Sequence, residues 1–293
     1  MRLPFGRSRR GDQPAGGWQT LFAGSVGQIP VRSVTYLGHP FVYPPDSQVG
    51  QAIGREWEWD AVLRPMVEAL VAEDDPIICE VGSNIGASIL EILLVKPRAR
   101  IFSFEPSDAF RAVLLENLRL AGFATQEVLP YIVGSAPGQG FIYTDATSGS
   151  VQELPHYARS QPARVVSLDE ILEGYAPVRF IKIDTDGNDV EVLRGAAGIL
   201  ARDRPAVFFE FCPSLMPADP VAELEWLQAA GYPQLVCFDH LGHTVGVTED
   251  AGQAAGWSID HGYCDILAPP DIEAARPLVE AFLASSRDLG QAG

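Results

Sequence analysis

The sequence predicts an α/β protein with a doubly wound, largely parallel, Rossmann-like sheet. Three observations support this. An apolar run, Ile77–Val81, leads into a loop that opens at Gly82 and closes at Gly86, and an apolar helical pattern follows. A second apolar run, Arg100–Phe104, comes after that helix and ends in Glu105. From there onward, runs of strand length alternate with helical patterns, which is typical of such a sheet.

The elements follow in a regular order from residue 76. Strand character is present at residues 77–81, 100–104, 127–133, 179–183, 207–211, 235–238 and 264–267. Helical spacing is present at residues 85–95, 108–121, 190–200, 221–230 and 272–284. Between residues 134 and 168 the pattern gives way to Gly, Ser, Thr and Pro. We expect this insertion to form part of an acceptor pocket, because loops at strand ends build the sites of this architecture.

Two segments precede the alternating region. Residues 1–18 hold four arginines among glycines and prolines, which predicts a disordered tail. Residues 19–75 contain short β-type runs broken by prolines, and then helical spacing over 57–71. They predict a small N-terminal extension of strands and a helix, and residues 76–293 form the main domain.

The charge and the apolar content of the chain indicate which classes of binding partner are expected. The chain has 38 acidic and 21 basic residues, a formal net charge of -17. Such a surface repels phosphate backbones, so we expect no nucleic-acid partner. No stretch approaches the ~18 apolar residues of a membrane span, so no transmembrane segment is predicted. The four cysteines form no CxxC pair and no secretory leader precedes them, which predicts reduced thiols in a cytoplasmic protein.

The loop after the first strand indicates which ligand it binds. Strand, glycine loop, helix, strand and acid form the layout of a nucleoside-binding unit, with Glu105 placed for ribose hydroxyls. A pyrophosphate requires a GxGxxG turn, whereas these glycines are spaced GxxxG around Asn84. Glu80 would repel a pyrophosphate but suits the ammonium and sulfonium of S-adenosylmethionine. An ordinary strand-to-helix turn is the alternative interpretation. We assign to a methyl-donor site Glu80, Gly82, Ser83, Asn84, Gly86, Glu105, Ser107 and Val133.

The second half of the chain supplies the candidate catalytic residues. Lys182 and Asp184 lie on one face of a strand, and Glu210 ends the next strand. In the usual sheet order both carboxylates lie beside the glycine loop. We predict that Asp184 and Glu210 face the transferred methyl group, with Lys182 as a charge partner or alternative base.

Other polar residues of this half have simpler interpretations. A divalent cation, Mg²⁺ or Mn²⁺, could instead acidify the acceptor hydroxyl, but we assign no metal ligand. Asp189 is interpreted as a residue at the start of a helix, where an acidic side chain interacts favourably with the helix dipole. His240 and His243 are interpreted as part of a turn between strands.

Together these motifs resemble the FkbM family of S-adenosylmethionine-dependent methyltransferases. The resemblance is carried, in order, by EVGSNIG at 80–86, FEP at 104–106, SLD at 167–169, IKIDTDG at 181–187, LRG at 193–195 and RP at 204–205, up to Glu210. It implies a class I methyltransferase fold, with a seven-stranded sheet whose last strand is antiparallel, and O-methylation. Two departures concern substrate detail. Glu80 stands where Asp is commoner, and Asn188-Asp189 stands where the family often has Ala-Glu.

The family's association with surface glycans, sugar nucleotides and polyketide hydroxyls implies an acceptor. We expect an S-adenosylmethionine-dependent O-methyltransferase acting on a hydroxyl of a carbohydrate, whether a sugar, a sugar nucleotide or a surface glycan. One alternative is a natural-product or amino-group acceptor. Others are a nicotinamide-dependent oxidoreductase, which the loop disfavours, and a non-catalytic protein that binds the donor or another protein.

Overall fold

The computed structural model describes residues 19–23, 27–145, 148–153 and 156–290. The predicted disordered tail lies outside these residues. The strands are β1 (Gln19–Ala23), β2 (Gly27–Tyr36), β3 (His39–Tyr43), β4 (Ile77–Val81), β5 (Arg100–Phe104), β6 (Glu127–Leu129), β7 (Ile132–Val133), β8 (Gly138–Thr144), β9 (Gly149–Ser150), β10 (Arg159–Val166), β11 (Val178–Ile183), β12 (Ala206–Phe211), β13 (Leu235–Phe238), β14 (Thr244–Thr248) and β15 (Cys264–Ala268). The helices are α1 (Gln48–Ile53), α2 (Leu63–Leu70), α3 (Ala87–Val95), α4 (Asp108–Leu120), α5 (Leu168–Ile171), α6 (Asp189–Arg194), α7 (Ala197–Asp203), α8 (Pro220–Ala229), α9 (Ala251–His261) and α10 (Ile272–Gly290).

The central sheet has the strand order β14-β13-β15-β12-β11-β4-β5-β6. Strands β6, β5, β4, β11 and β12 are parallel, and β15 is antiparallel to both of its neighbours, β12 and β13. This is the arrangement of the class I methyltransferase fold. The predicted antiparallel last strand is therefore confirmed, and β14 adds an eighth strand to the seven expected, at the edge beside β13.

Three predicted elements are divided or shortened. The strand expected at 127–133 breaks at Pro130, so that β6 stays in the central sheet while β7 pairs with β10. Proline has no N–H with which to continue a ladder. The helix expected at 190–200 is divided into α6 and α7. A Cβ on Gly195 would lie 2.1 Å from the carbonyl oxygen of Gly134, so the insertion backbone packs against this break. The helix expected at 57–71 begins only at Leu63.

The insertion and the N-terminal extension each form a small sheet. Strands β7, β10, β8 and β9 make a four-stranded sheet, and β1, β2 and β3 make a three-stranded one. The extension is held to the central domain by buried polar contacts as well as by apolar packing. The Asn117 side chain of α4 donates to the carbonyl of Val42 at 2.9 Å and accepts from its N–H at 2.7 Å. The hydroxyl of Tyr36 donates to Glu91 of α3.

The hydrophobic core lies on the two faces of the central sheet. One face packs against α2, α3, α4 and α10, together with β2 and β3 of the extension. The other face packs against α6, α7, α8 and α9. Among the described residues, no helix is both long and apolar enough to span a bilayer.

Candidate active site

A cavity of about 470 Å³ lies at the carboxyl ends of β4, β5, β11 and β12. The glycine loop after β4 forms one wall, and the end of β7 with the insertion sheet forms another. Residues 48–49, 52 and 57–62 of the N-terminal extension form a third. Open α/β sheets bind their ligands in the crevice outside the strand carboxyl ends, which is where this cavity lies.

Gly82 allows the loop after β4 to pass against the end of β11. The Asp184 N–H donates to the carbonyl of Val81 at 2.9 Å. A Cβ on Gly82 would lie only 1.7 Å from the Asp184 carbonyl oxygen, and Gly82 has a φ of +84°. The N–H groups of Gly82 and Ser83 donate to the Phe104 carbonyl at 3.0 and 3.2 Å. The glycine loop is thus fixed to both neighbouring strands.

Two backbone N–H groups hold the carboxyl group of Glu105 in place. It is buried at the end of β5, where one carboxylate oxygen accepts from the Asn84 N–H and the other from the Ser107 N–H, both at 2.8 Å. Each oxygen keeps a further lone pair, since a carboxylate offers about four acceptor sites. Burial raises the pKa of Glu105 to about 8, although these two hydrogen bonds oppose the rise. Glu105 and Asn84 both line the cavity.

Glu80 lies behind the loop rather than on the cavity wall. Its exposed fraction is 0%, and neither carboxylate oxygen has a hydrogen-bond partner among the described residues. Burial raises its pKa to about 7, and the attraction of Lys182 limits the rise. A buried carboxyl group without a hydrogen-bond partner is costly, and a cationic donor such as the one predicted from the sequence would favour its ionised form.

The other residues assigned to the donor site divide between the cavity wall and its support. Ser83 and Val133 line the cavity, and the Val133 carbonyl accepts a hydrogen bond from Asn188 at 2.8 Å. Gly86 is the N-cap residue of α3. The Ser107 hydroxyl caps α4 by accepting from the Phe110 N–H at 3.4 Å.

Lys182 is a buried lysine that interacts electrostatically with Glu80 behind the glycine loop and with carboxylates on the cavity wall. It is 2% exposed, and its strand register places it beside Glu80 of β4. Its Nζ lies 3.0 Å from Asp184 Oδ2 and 3.3 Å from Asp60 Oδ2. Burial disfavours the charged amine, but Asp184, Asp60 and Glu80 outweigh it and raise the pKa of Lys182 well above its ordinary value. Lys182 is therefore held as an ammonium ion.

Carboxylates dominate the opposite side of the cavity. Glu210 of β12 faces Asp265 of β15 in the strand register. Burial, together with repulsion from Asp184 and other nearby carboxylates, raises the pKa of Glu210 well above its ordinary value. Burial and repulsion from Asp60 and Asp184 do the same for Asp265. Burial and repulsion from Asp184 raise the pKa of Asp186 to about 7. The structure therefore brings the predicted Asp184 and Glu210 together at one wall.

Several wall residues were not predicted. Asp265 is a charged residue within an apolar run of strand length, as Lys182 is, so the sequence pattern that indicates a functional role for Lys182 applies to Asp265 as well. Trp57, Trp59 and Asp60 line the cavity from the extension. They lie outside the matched motifs, and only the folding of the extension onto the domain brings them there.

The histidines and Asp189 lie where the simpler interpretations placed them. His243 Nδ1 is 3.1 Å from Asp239 Oδ2 within the turn between β13 and β14, and His240 of the same turn lines the cavity. Asp189 is the first residue of α6, with one carboxylate oxygen 2.9 Å from the Thr185 hydroxyl. Within the part of the chain that is described, no group of three or more His, Cys, Asp or Glu side chains is arranged to hold a metal ion.

The fold, the glycine loop and the acid at the end of β5 define an S-adenosylmethionine-dependent methyltransferase of class I. The chain belongs to the FkbM methyltransferase family, because the model of the methyltransferase FkbM domain matches residues 80–233, more than half of its length. This membership removes the nicotinamide-dependent oxidoreductase alternative.

Three individual proteins that match the chain share 26% sequence identity or less with it. The chain is 26% identical over 186 residues to hexuronic acid methyltransferase AglP of Haloferax volcanii, a match that covers 62% of this chain and 74% of that protein. The methyltransferase FkbM structure from Methylobacillus flagellatus KT aligns with a TM-score of 0.46 and 17% identity, over 66% of this chain but only 44% of that one. An O-methyltransferase of Bacillus cereus in complex with SAH aligns with a TM-score of 0.40 and 15% identity, over 70% and 76% of the two chains.

Proposed function

We propose that the protein transfers a methyl group from S-adenosylmethionine to a hydroxyl of a carbohydrate, which is a free sugar, a sugar nucleotide or a surface glycan. The observation that carries the proposal is a single cavity that joins the donor loop to a wall holding Asp184 and Glu210. The motifs and the match to a hexuronic acid methyltransferase support a sugar acceptor. Trp57 and Trp59 add aromatic surface to the same cavity, and aromatic rings pack well against the apolar faces of sugars.

The residues of the donor side fit S-adenosylmethionine. Glu105 would accept hydrogen bonds from the ribose hydroxyls, and the absence of a side chain at Gly82 keeps the loop close enough to Asp184 to form one continuous wall. Glu80 would provide negative charge behind the loop. When bound, S-adenosylmethionine supplies a methyl group that the acceptor oxygen takes in an in-line displacement as the carbon–sulfur bond breaks.

We assign the removal of the hydroxyl proton to Asp184. It lines the cavity, and its carboxylate is held in place by the Lys182 ammonium at 3.0 Å. Lys182 itself does not line the cavity and stays protonated, so it acts as the charge partner and not as the base. Glu210 lines the same cavity, and we assign to it the orientation of the acceptor by hydrogen bonding. General-base assistance of this kind contributes about 10²–10⁴ in rate.

The proposal is tested with isotope-labelled donor and a panel of methyl glycosides. Labelled product that carries an ether methyl group, identified by NMR, is the expected result. A glycoside whose methylated hydroxyl is replaced by hydrogen is the matched control, and it should accept no label. Label found only on carboxyl, amine or non-carbohydrate acceptors would contradict the proposal.

The role of Asp184 is tested separately by Asp184→Asn, which keeps the shape of the side chain and removes its charge. Turnover should fall by about 10²–10⁴ while donor affinity changes little. If only donor affinity falls, Asp184 is a binding residue. Inhibition by a chelator that Mg²⁺ or Mn²⁺ reverses would instead support the metal-assisted route. Asp260→Asn, at an exposed position on α9 that does not line the cavity, is the control.

A further inference from the structure

The cavity wall holds several carboxyl groups and, among the described residues, no lysine or arginine side chain. Lys182, the buried ammonium behind the wall, is shared by Asp184 and Asp60. The acidic residues on the wall are Glu58, Asp60, Glu105, Asp184, Asp186, Glu210 and Asp265.

Three of these carboxylates have no assigned partner. Glu105 belongs to the donor site, and Asp184 and Asp60 share Lys182. Glu58 pairs with Arg64. Asp186, Glu210 and Asp265 remain, and within the described part of the chain no ion pair forms with any of them. Glu210 and Asp265 occupy paired positions on neighbouring strands. The sulfonium, ammonium and carboxylate of the donor sum to one positive charge, so the donor cannot balance all three of these carboxyl groups in their ionised form.

An aromatic surface lies in the same cavity. Trp57 is 50% exposed although it belongs to the wall, and Trp59 and Tyr263 line the cavity as well. Aromatic faces attract cations as well as apolar surface, with tryptophan the strongest. A cavity lined both by a half-exposed tryptophan and by carboxyl groups without an ion-pair partner therefore suits a ligand that is both partly apolar and positively charged.

We propose that the acceptor is an amino sugar, and that Glu210 and Asp265 bind its protonated amino group while a neighbouring hydroxyl is methylated. This inference rests on the proposed function and specifies its acceptor. Repulsion between carboxylates contributes to the raised pKa of both residues, and an ammonium ion placed between them would relieve it. A uronic acid would add a further negative charge to this wall and would be repelled.

The test uses three methyl glycosides of the same ring configuration: a hexosamine, the neutral hexose and the hexuronic acid. Binding is measured by calorimetry with S-adenosylhomocysteine present, and methyl transfer is measured with labelled donor. The hexosamine should bind at least about tenfold more tightly than the hexose, because a charge-assisted hydrogen bond is replaced by a neutral one. The hexuronic acid should bind most weakly.

The variant Asp265→Asn tests whether the preference for the hexosamine depends on the carboxyl group of Asp265. It should weaken hexosamine binding about tenfold or more and weaken hexose and donor binding much less, whereas the control Asp260→Asn should change none of them. If this variant fails to fold, the glycoside series on the unaltered protein decides the question.

The outcomes separate the two proposals. Methylation of the hexose or the hexuronic acid in preference to the hexosamine would overturn this inference and leave the proposed function intact. Binding of the hexuronic acid that appears only with added Mg²⁺ would show that the carboxylates hold a metal ion, and it would also overturn the inference. Failure of all three glycosides to bind or react would count against both proposals.

Discussion

Replacing Gly82 by alanine tests the contact on which the joined donor and acceptor walls depend. The added Cβ would lie 1.7 Å from the Asp184 carbonyl oxygen, and Cβ atoms in proteins essentially never come within 3.0 Å of another heavy atom. The backbone must therefore move by about 1.3 Å, the difference between these distances. The atom in the way is backbone, and Asp184 is tied to Val81 by a 2.9 Å hydrogen bond, so the movement cannot be absorbed by a flexible side chain.

The cost has two parts. A non-glycine residue in the left-handed region costs about 1–2 kcal/mol, and forced overpacking costs about 1–3 kcal/mol. Gly82→Ala should thus lower the free energy of unfolding by about 2–5 kcal/mol. Gly122 is the matched control, because its φ of +86° is nearly the same and a Cβ there would meet nothing within 4 Å. Gly122→Ala should cost only the left-handed strain, about 1–2 kcal/mol.

Urea denaturation measures the free energy of unfolding of both variants, and calorimetry measures their affinity for S-adenosylmethionine. Gly82→Ala should lose at least about tenfold in donor affinity, because the loop and the Asp184 backbone can no longer keep their relative position. Gly122→Ala should bind the donor as the unaltered protein does. Equal destabilisation of the two variants, with donor affinity retained in both, would refute the reasoning.

Three further predictions concern charge. Glu105→Gln should weaken donor binding about tenfold or more by calorimetry, since it replaces one accepting oxygen by an NH₂ group that would face a backbone N–H; unchanged affinity would exclude Glu105 from the ribose site. The preference for S-adenosylmethionine over S-adenosylhomocysteine, which lacks the sulfonium, should grow between about pH 6 and pH 8 as Glu80 and Asp186, with pKa values of about 7, ionise; a constant ratio of the two affinities would argue against this. Without donor, the free energy of unfolding should fall as pH rises from about 5 to about 8. Burial raises the folded-state pKa of Glu91 and Glu105 from 4.5 to about 8, so in this range the folded protein binds more protons than the unfolded chain; a flat or rising urea-denaturation profile would contradict it.

The parts of the fold that could be predicted from sequence are those with a strong local pattern. β4, β5 and β13 have the predicted bounds, because each is a short apolar run with clear ends. α9 was missed because its first residues, Ala251-Gly-Gln-Ala-Ala-Gly256, are small and give no amphipathic pattern, although Asp250 caps it. β14 was missed because its valines alternate with Thr and Gly, and it depends on pairing with β13 for stability.

The candidate site shows the same division. The glycine loop and the strand-end acids Glu105, Asp184 and Glu210 could be placed because parallel strands bring their carboxyl ends to one edge. The wall supplied by the extension could not be placed. Asp60 reaches Lys182 only because α2 packs on α3, where Arg64 Nε lies 2.6 Å from Glu91. No local pattern encodes a contact between segments so far apart in the sequence.

Lys182 explains why the donor and acceptor parts of the site belong to one electrostatic unit. Its ammonium pairs with Asp184, on the wall assigned to the acceptor, and with Asp60 of the extension. It also attracts Glu80, which lies behind the donor loop and is its neighbour in the strand register. Removing any one of these carboxylates changes how much of the lysine charge the others share. The departure from the commoner Asp at position 80 therefore bears on both sides of the site. A substitution at position 80 would therefore change the electrostatic environment of the proposed base, Asp184, through the charge on Lys182.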